Sequence, residues 1–145
     1  RSLRDESKAD LNASAPFHSD SRRFEVATSC VPLLAGLRSS LDLLEQEGSA
    51  DQRLASIRST SAALWTALQP IEGITTLLNT PPASGLVSFQ IAGERKPADW
   101  VQILGAHGIW IRDLADPACL RACTHVCTTH EEIEALVRDI DDSRH

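Results

Sequence analysis

Two stretches in the first half of the chain carry apolar residues at intervals of three and four. The first predicts a helix with Pro32 in its first turn and Gly48 at its end. Its apolar stripe consists of Leu33, Leu34, Leu37, Leu41 and Leu44. The second predicts a helix from about residue 49 or 50 to Leu68, ended by Pro70. Apolar stripes of this kind are normally core faces, so we expect both helices to be packed.

The second half of the chain alternates between shorter strand patterns and helices. Residues 74–78 are a short β-like run, and residues 86–91 alternate as a sheet strand does. Pro97 opens a third helix that Gly108 ends, and two further strands follow. The last helix is predicted to start at a capping box of Thr128 with Glu131. The sequence therefore predicts an α+β fold, a small mainly antiparallel sheet covered by helices.

Two arginines stand out in the stretch GIWIRDLADPACLRACTH at residues 108–125. Arg112 and Arg121 each lie in a short apolar run, and residues 113–118 between them form a turn containing Asp-Pro. Strands joined by this turn would bring both guanidinium groups to the same end of the sheet. A planar guanidinium binds carboxylate or phosphate through two parallel hydrogen bonds, so the pair indicates an anionic ligand. The alternative is that each arginine pairs with one of the 20 acidic residues and only anchors a strand end.

Length and charge limit the functions to consider. A chain of 145 residues is enough for one core, and a net charge of -6 argues against a nucleic-acid partner. No apolar run reaches the roughly 20 residues that span a bilayer, and no signal peptide opens the chain. We therefore expect a cytoplasmic protein without a membrane partner.

The four cysteines indicate no metal site of common spacing. They are Cys30, Cys119, Cys123 and Cys127. We interpret them as small buried side chains in a reducing cytoplasm. A zinc site made by His125 with the last three cysteines remains the alternative, although its spacing fits no common ligand pattern.

Three stretches carry a resemblance to a known family. They are RRFEVATS at 22–29, SGLVSF at 84–89 and GIWIRDLADPACLRACTHVCTTHEEIEAL at 108–136. In these stretches the chain resembles the C-terminal domain of class V aminotransferases, pyridoxal-phosphate (PLP) enzymes that include cysteine desulfurases and cysteine or cystine C–S lyases. The resemblance covers about residues 22–141. It implies that residues 23–145 are the small C-terminal domain of the PLP-dependent transferase fold. Residues 1–22 are polar and have no sustained period, so we expect an arm or loop there.

The resemblance also implies roles for three residues. Thr28 matches the family threonine that reaches the PLP phosphate of the neighbouring subunit, although Ala27 stands where the family has glycine. Arg121 matches the arginine that takes the substrate α-carboxylate. Arg112 matches the arginine that closes the preceding strand, which in the lyase branch also faces the substrate. The implied assembly is a homodimer that binds PLP and an amino-acid substrate.

One departure from the family distinguishes between its branches. Desulfurases carry a persulfide-forming cysteine in a longer loop after the first of these strands, whereas residues 113–118 form a short connection without cysteine. Cys119 begins the next strand, where we expect it to be held, and a thiol that carries sulfur away needs exposure and freedom. We therefore favour a C–S lyase or an aminotransferase over a sulfur-relay desulfurase.

A second departure concerns the cofactor. PLP chemistry needs a lysine that forms a Schiff base, and the lysines of this chain, Lys8 and Lys96, have no context resembling it. The chain begins with Arg1 and contains no methionine. We therefore expect a fragment whose large cofactor domain precedes residue 1 and which is inactive alone. The alternative is a non-catalytic module that binds an amino acid or another anion, and the reading frame upstream of Arg1 would distinguish the two.

Overall fold

The computed structural model describes residues 16–24 and 30–144. The chain divides into two compact units, Arg1–Gln46 and Glu47–His145. The described part of the first unit holds a short 3₁₀ helix, Ser21–Phe24, and helix α1, Val31–Gln46. The second unit holds the sheet and the remaining helices.

Helix α1 forms where the leucine spacing predicts it, but its predicted burial is wrong. None of its residues is buried, and the five leucines of the stripe are between 40% and 73% exposed. The described part of the first unit offers this stripe no second apolar layer, since it contains only α1 and one 3₁₀ turn. Helical periodicity predicts that one face of a helix is apolar, but it does not predict which surface covers that face.

The second unit is a four-stranded antiparallel sheet with three helices. Its elements are α2 (Ala50–Leu68), β1 (Ile74–Thr76), β2 (Leu86–Ile91), α3 (Pro97–Ala106), β3 (Arg112–Ala115), β4 (Ala118–Cys123) and α4 (His130–Asp142). The strand order is β1-β2-β4-β3, with every neighbouring pair antiparallel. The α+β class predicted from the sequence is confirmed.

The core lies between one face of the sheet and the helices. Alternate residues of the two central strands point into it, because successive side chains of a strand face opposite sides. The buried core residues are Leu64, Leu68, Val87, Phe89, Trp100, Leu104, Leu120, Ala122, Ile133, Leu136 and Ile140. The residues between them, Ser88 on β2 and Arg121 on β4, therefore lie on the other face of the sheet.

A tight contact at Gly85 sets the alignment of β2 with β4. The backbone N–H of Thr124 donates to the Gly85 carbonyl at 2.7 Å, and the Thr124 hydroxyl donates to the same oxygen at 3.3 Å. A Cβ on residue 85 would collide with the Thr124 carbonyl oxygen and would lie 2.8 Å from Cγ2 of Ile57. Glycine is required here by close approach of the backbone, and the contact fixes which residues of β2 and β4 face each other.

Three element boundaries differ from the sequence prediction. Strand β1 ends at Thr76 instead of residue 78, and residues 109–111 are not in a strand, so that β3 starts at Arg112. Helix α4 is capped by Thr129 with Glu132, one residue later than predicted. Both threonine–glutamate pairs have the spacing of a capping box, but the Thr128 hydroxyl accepts a hydrogen bond from the His125 N–H and closes the preceding turn.

Candidate functional site

The two arginines lie directly opposite each other in the sheet. Arg112 of β3 pairs with Arg121 of β4, and Arg121 pairs on its other side with Ser88 of β2. Directly opposed residues of an antiparallel pair have side chains on the same face. The three residues therefore form a row across three neighbouring strands, which we call the arginine row. The prediction that the intervening turn brings the arginines together is confirmed.

The short β3–β4 connection produces this placement. Only Asp116 and Pro117 separate the two strands, and the ladder pairs Ala115 with Ala118 next to the turn. Three residue pairs further along the ladder, Arg112 lies opposite Arg121. Because Leu120 and Ala122 of β4 are buried in the core, Arg121 between them must face away from the helices.

The contacts of the arginine row differ between its two arginines. Arg121 is half-buried, and its Nε donates to Oγ of Ser88 at 3.3 Å. Arg112 is exposed. Within residues 16–24 and 30–144, neither guanidinium forms an ion pair with a carboxylate. The alternative in which both arginines are structural ion-pair partners therefore finds no support in the described part of the chain.

The charge around the row is uncompensated within the sheet. Asp113 is the acidic residue of the four strands, and it alternates to the face opposite that of Arg112. Like charges directly opposite each other destabilise a sheet. Two opposed arginines on a face where the four strands place no carboxylate make a positive patch that favours an anion.

Ser88 is the residue of the row that sequence reasoning did not single out. The alternation of residues 86–91 already indicated that Ser88 points away from the core, between two inward residues. The missing information was the strand order, which puts β2 next to β4 although α3 and β3 lie between them in the chain.

The cysteines of this region take no part in the row. Cys119 is 1% exposed and lies opposite Leu114, so it is held in β4 as expected. Cys123 and Cys127 are exposed, as is Cys30 just before α1, against the prediction of burial. Sγ of Cys127 lies 3.8 Å from Nδ1 of His125. In the described ranges no three histidine, cysteine or acidic residues form a group that could hold a metal ion.

Comparison with known proteins assigns the family. The family model for class-V aminotransferases matches residues 6–138. The chain belongs to this family. No curated protein matched the chain.

Solved structures agree with this assignment in fold. Two structures of the cystine C–S lyase C-DES superpose with TM-scores of 0.80. One is a lysine-to-alanine mutant with glycine covalently linked to the PLP cofactor, 36% identical over 90% of this chain and 34% of the other. The second is the complex with the reaction product cysteine persulfide, 35% identical over 92% of this chain and 35% of the other. The cysteine desulfurase CsdA of Escherichia coli, 24% identical, shares the fold with a TM-score of 0.73 over 98% of this chain and 37% of its own.

The chain of this class-V aminotransferase family member spans about a third of the length of the C-DES structures. Thr28, the predicted phosphate contact, and Lys8 lie outside the described residues. Lys96 is the N-cap residue of α3, and its backbone N–H donates to Asp99, so it lies outside the strands that carry the arginines. Among the described residues, the strands that carry the arginines therefore hold no lysine.

None of the described helices is both long enough and apolar enough to cross a membrane.

Proposed function

We propose that this chain is the small C-terminal domain of a PLP-dependent enzyme that acts on an amino acid, of the C–S lyase or transaminase type. Its part in the reaction is to bind the substrate carboxylate. The observation that carries this proposal is the arginine row, two opposed guanidinium groups on a sheet face whose strands carry no acidic residue there. An amino acid always supplies the carboxylate that such a pair would neutralise.

Within the proposed enzyme the two arginines have different tasks. Arg121, half-buried and hydrogen-bonded, is the fixed clamp for the α-carboxylate, because an ordered guanidinium loses less freedom when it binds. Arg112 is exposed and adjacent, which suits it to a second carboxylate further along the substrate. PLP, when bound, supplies an electron sink for the charge that develops at the substrate Cα.

The β3–β4 turn and its surroundings fit a lyase that acts on a disulfide amino acid better than they fit a sulfur-relay desulfurase. The two-residue β3–β4 turn contains no thiol, and Cys119 beside it is buried. Cystine carries two carboxylates, which matches the number of arginines in the row. The similarity to the cystine C–S lyase C-DES at 35–36% identity supports the same direction.

The remaining proposals concern the location of the enzyme, its assembly and its Schiff-base lysine. We propose a cytoplasmic homodimer in which Thr28 contacts the PLP phosphate bound by the neighbouring subunit. The Schiff-base lysine would belong to a large domain, so residues 1–145 alone would be inactive.

The test is a substrate panel on the full-length protein. The purified protein is incubated with cystine, cysteine, alanine or aspartate, with and without a 2-oxo acid. A lyase releases one pyruvate and one ammonia for each cystine consumed, with one water taken up and cysteine persulfide as the sulfur product. A transaminase turns over repeatedly only when a 2-oxo acid is added as the acceptor of the amino group, and it releases no ammonia. A full-length protein that binds amino acids but converts none would support the non-catalytic binding module instead.

A further inference from the structure

We propose that Ser88 is a positioning residue that holds Arg121 so that the terminal Nη1–Nη2 edge of its guanidinium meets the substrate carboxylate. This inference rests on the proposed function, because it concerns how the proposed clamp is oriented. Neither the sequence patterns nor the family resemblance assigned Ser88 a role.

The sheet gives Ser88 a fixed position relative to Arg121. The two residues are direct partners in the β2–β4 ladder, so their Cα atoms keep the spacing of paired strands. Val87 and Phe89 on either side of Ser88 are buried in the core at 1% and 0% exposure, which anchors the strand. A serine has a single side-chain torsion that places its oxygen. Its hydroxyl is therefore a rigidly supported acceptor beside a long and flexible donor.

The contact selects one edge of the guanidinium. A guanidinium can pair with a carboxylate through Nε and one terminal nitrogen, or through its two terminal nitrogens. The Arg121 Nε already donates to Ser88 Oγ at 3.3 Å. The side-on geometry would break this hydrogen bond, whereas the end-on geometry keeps it. The structure therefore favours end-on pairing at Arg121.

Arg121 also needs such a support. Arg112 lies directly opposite and repels it, and no described carboxylate draws it to a fixed place. Both long cationic side chains lose substantial rotamer entropy when they are ordered. A neutral hydroxyl orders Arg121 without neutralising it, so the full charge stays available for the substrate.

The experiment compares Ser88→Val with Ser88→Thr in the full-length enzyme. Threonine and valine have nearly the same shape and both suit a strand, but only threonine keeps the hydroxyl. We expect Ser88→Val to raise KM for the amino-acid substrate about 5- to 15-fold with kcat within about twofold, as for a partly exposed hydrogen bond to a charged group. Ser88→Thr should stay within about twofold of wild type in both constants. Equal effects of the two variants would overturn the inference.

A second background separates this inference from the proposed function. In Arg121→Lys a methylene carbon stands where Nε was, so the valine and threonine variants should then differ by less than about twofold. In the matched background Arg112→Lys the difference should persist at its full size. If the difference also persists in Arg121→Lys, Ser88 acts through something other than Arg121 and the inference fails alone. If Arg121→Lys itself leaves kcat/KM unchanged, the proposed clamp fails, and Ser88 with it.

Discussion

Removal of the Arg121 guanidinium is the most direct test of the arginine row. In the proposed enzyme, Arg121→Ala leaves the substrate carboxylate without its fixed partner on β4. We expect kcat/KM to fall while bound PLP keeps its absorbance, because the described contacts of Arg121 lie within the sheet.

The size of the loss follows from the surroundings of the side chain. Truncation of one member of a hydrogen-bonded charge pair costs about 2–5 kcal/mol when the pair is desolvated. At tenfold for each 1.36 kcal/mol this is roughly 30-fold to several thousand-fold in kcat/KM. Arg121 is only half-buried in the chain, and Arg112 remains opposite as a second cation. Both facts place the expected loss in the lower half of that range.

The assay is steady-state kinetics of the full-length protein with two control variants. Arg121→Lys should recover only part of the activity, because an ammonium cannot form the two parallel hydrogen bonds of a guanidinium. Arg138→Ala removes an exposed arginine of α4 and should leave kcat/KM near wild type. If Arg121→Ala kept a wild-type kcat/KM, or if it released the cofactor, the clamp assignment would be wrong.

Three further predictions concern the support of the site. Gly85→Ala should lower the free energy of unfolding by about 1–3 kcal/mol through overpacking, measured in urea, whereas Gly36→Ala meets no neighbour and should be neutral or slightly stabilising. Thr129→Ala should lower it by about 0.5–2 kcal/mol as the loss of a helix cap; a greater loss with Thr128→Ala would contradict the observed capping box. Thr28→Ala should weaken PLP retention in the full-length protein by about 1–3 kcal/mol, and unchanged retention would count against the phosphate contact.

Local patterns predicted the elements that depend on neighbouring residues in the chain. Strand β2 and helix α3 form where alternation and the Pro97 start signal put them, because a period and a cap are local properties. The error at the start of α4 arose where two local signals compete. Two threonines had equal capping patterns, and only the hydrogen bond from the His125 N–H to Thr128 decided between them.

The site needed information that no local pattern contains. The turn at Pro117 was sufficient to predict that Arg112 and Arg121 meet, because a short connection joins neighbouring strands. The contact of Arg121 with Ser88 depends on two strands separated in sequence by a helix and a strand. The exposure of α1 could not be predicted from its leucine spacing either, since periodicity gives the direction of an apolar face but not its partner.

Two arginines directly opposite each other should lower the stability of the free protein, and this loss can be measured. A site that attracts an anion holds its cations close together before the anion arrives, so it lowers the stability of the free protein. Arg112→Gln removes one charge while keeping a long polar side chain on β3. We expect it to raise the free energy of unfolding of the 145-residue chain by about 0.2–1 kcal/mol in low salt, and by less in 1 M salt, where charges are screened.

The same variant should lose more kcat/KM with cystine than with an amino acid that has one carboxylate. Arg112→Lys keeps the charge and should show no gain in stability. A loss of stability in Arg112→Gln at low salt would mean that Arg112 has a stabilising partner, and the row would then be structural.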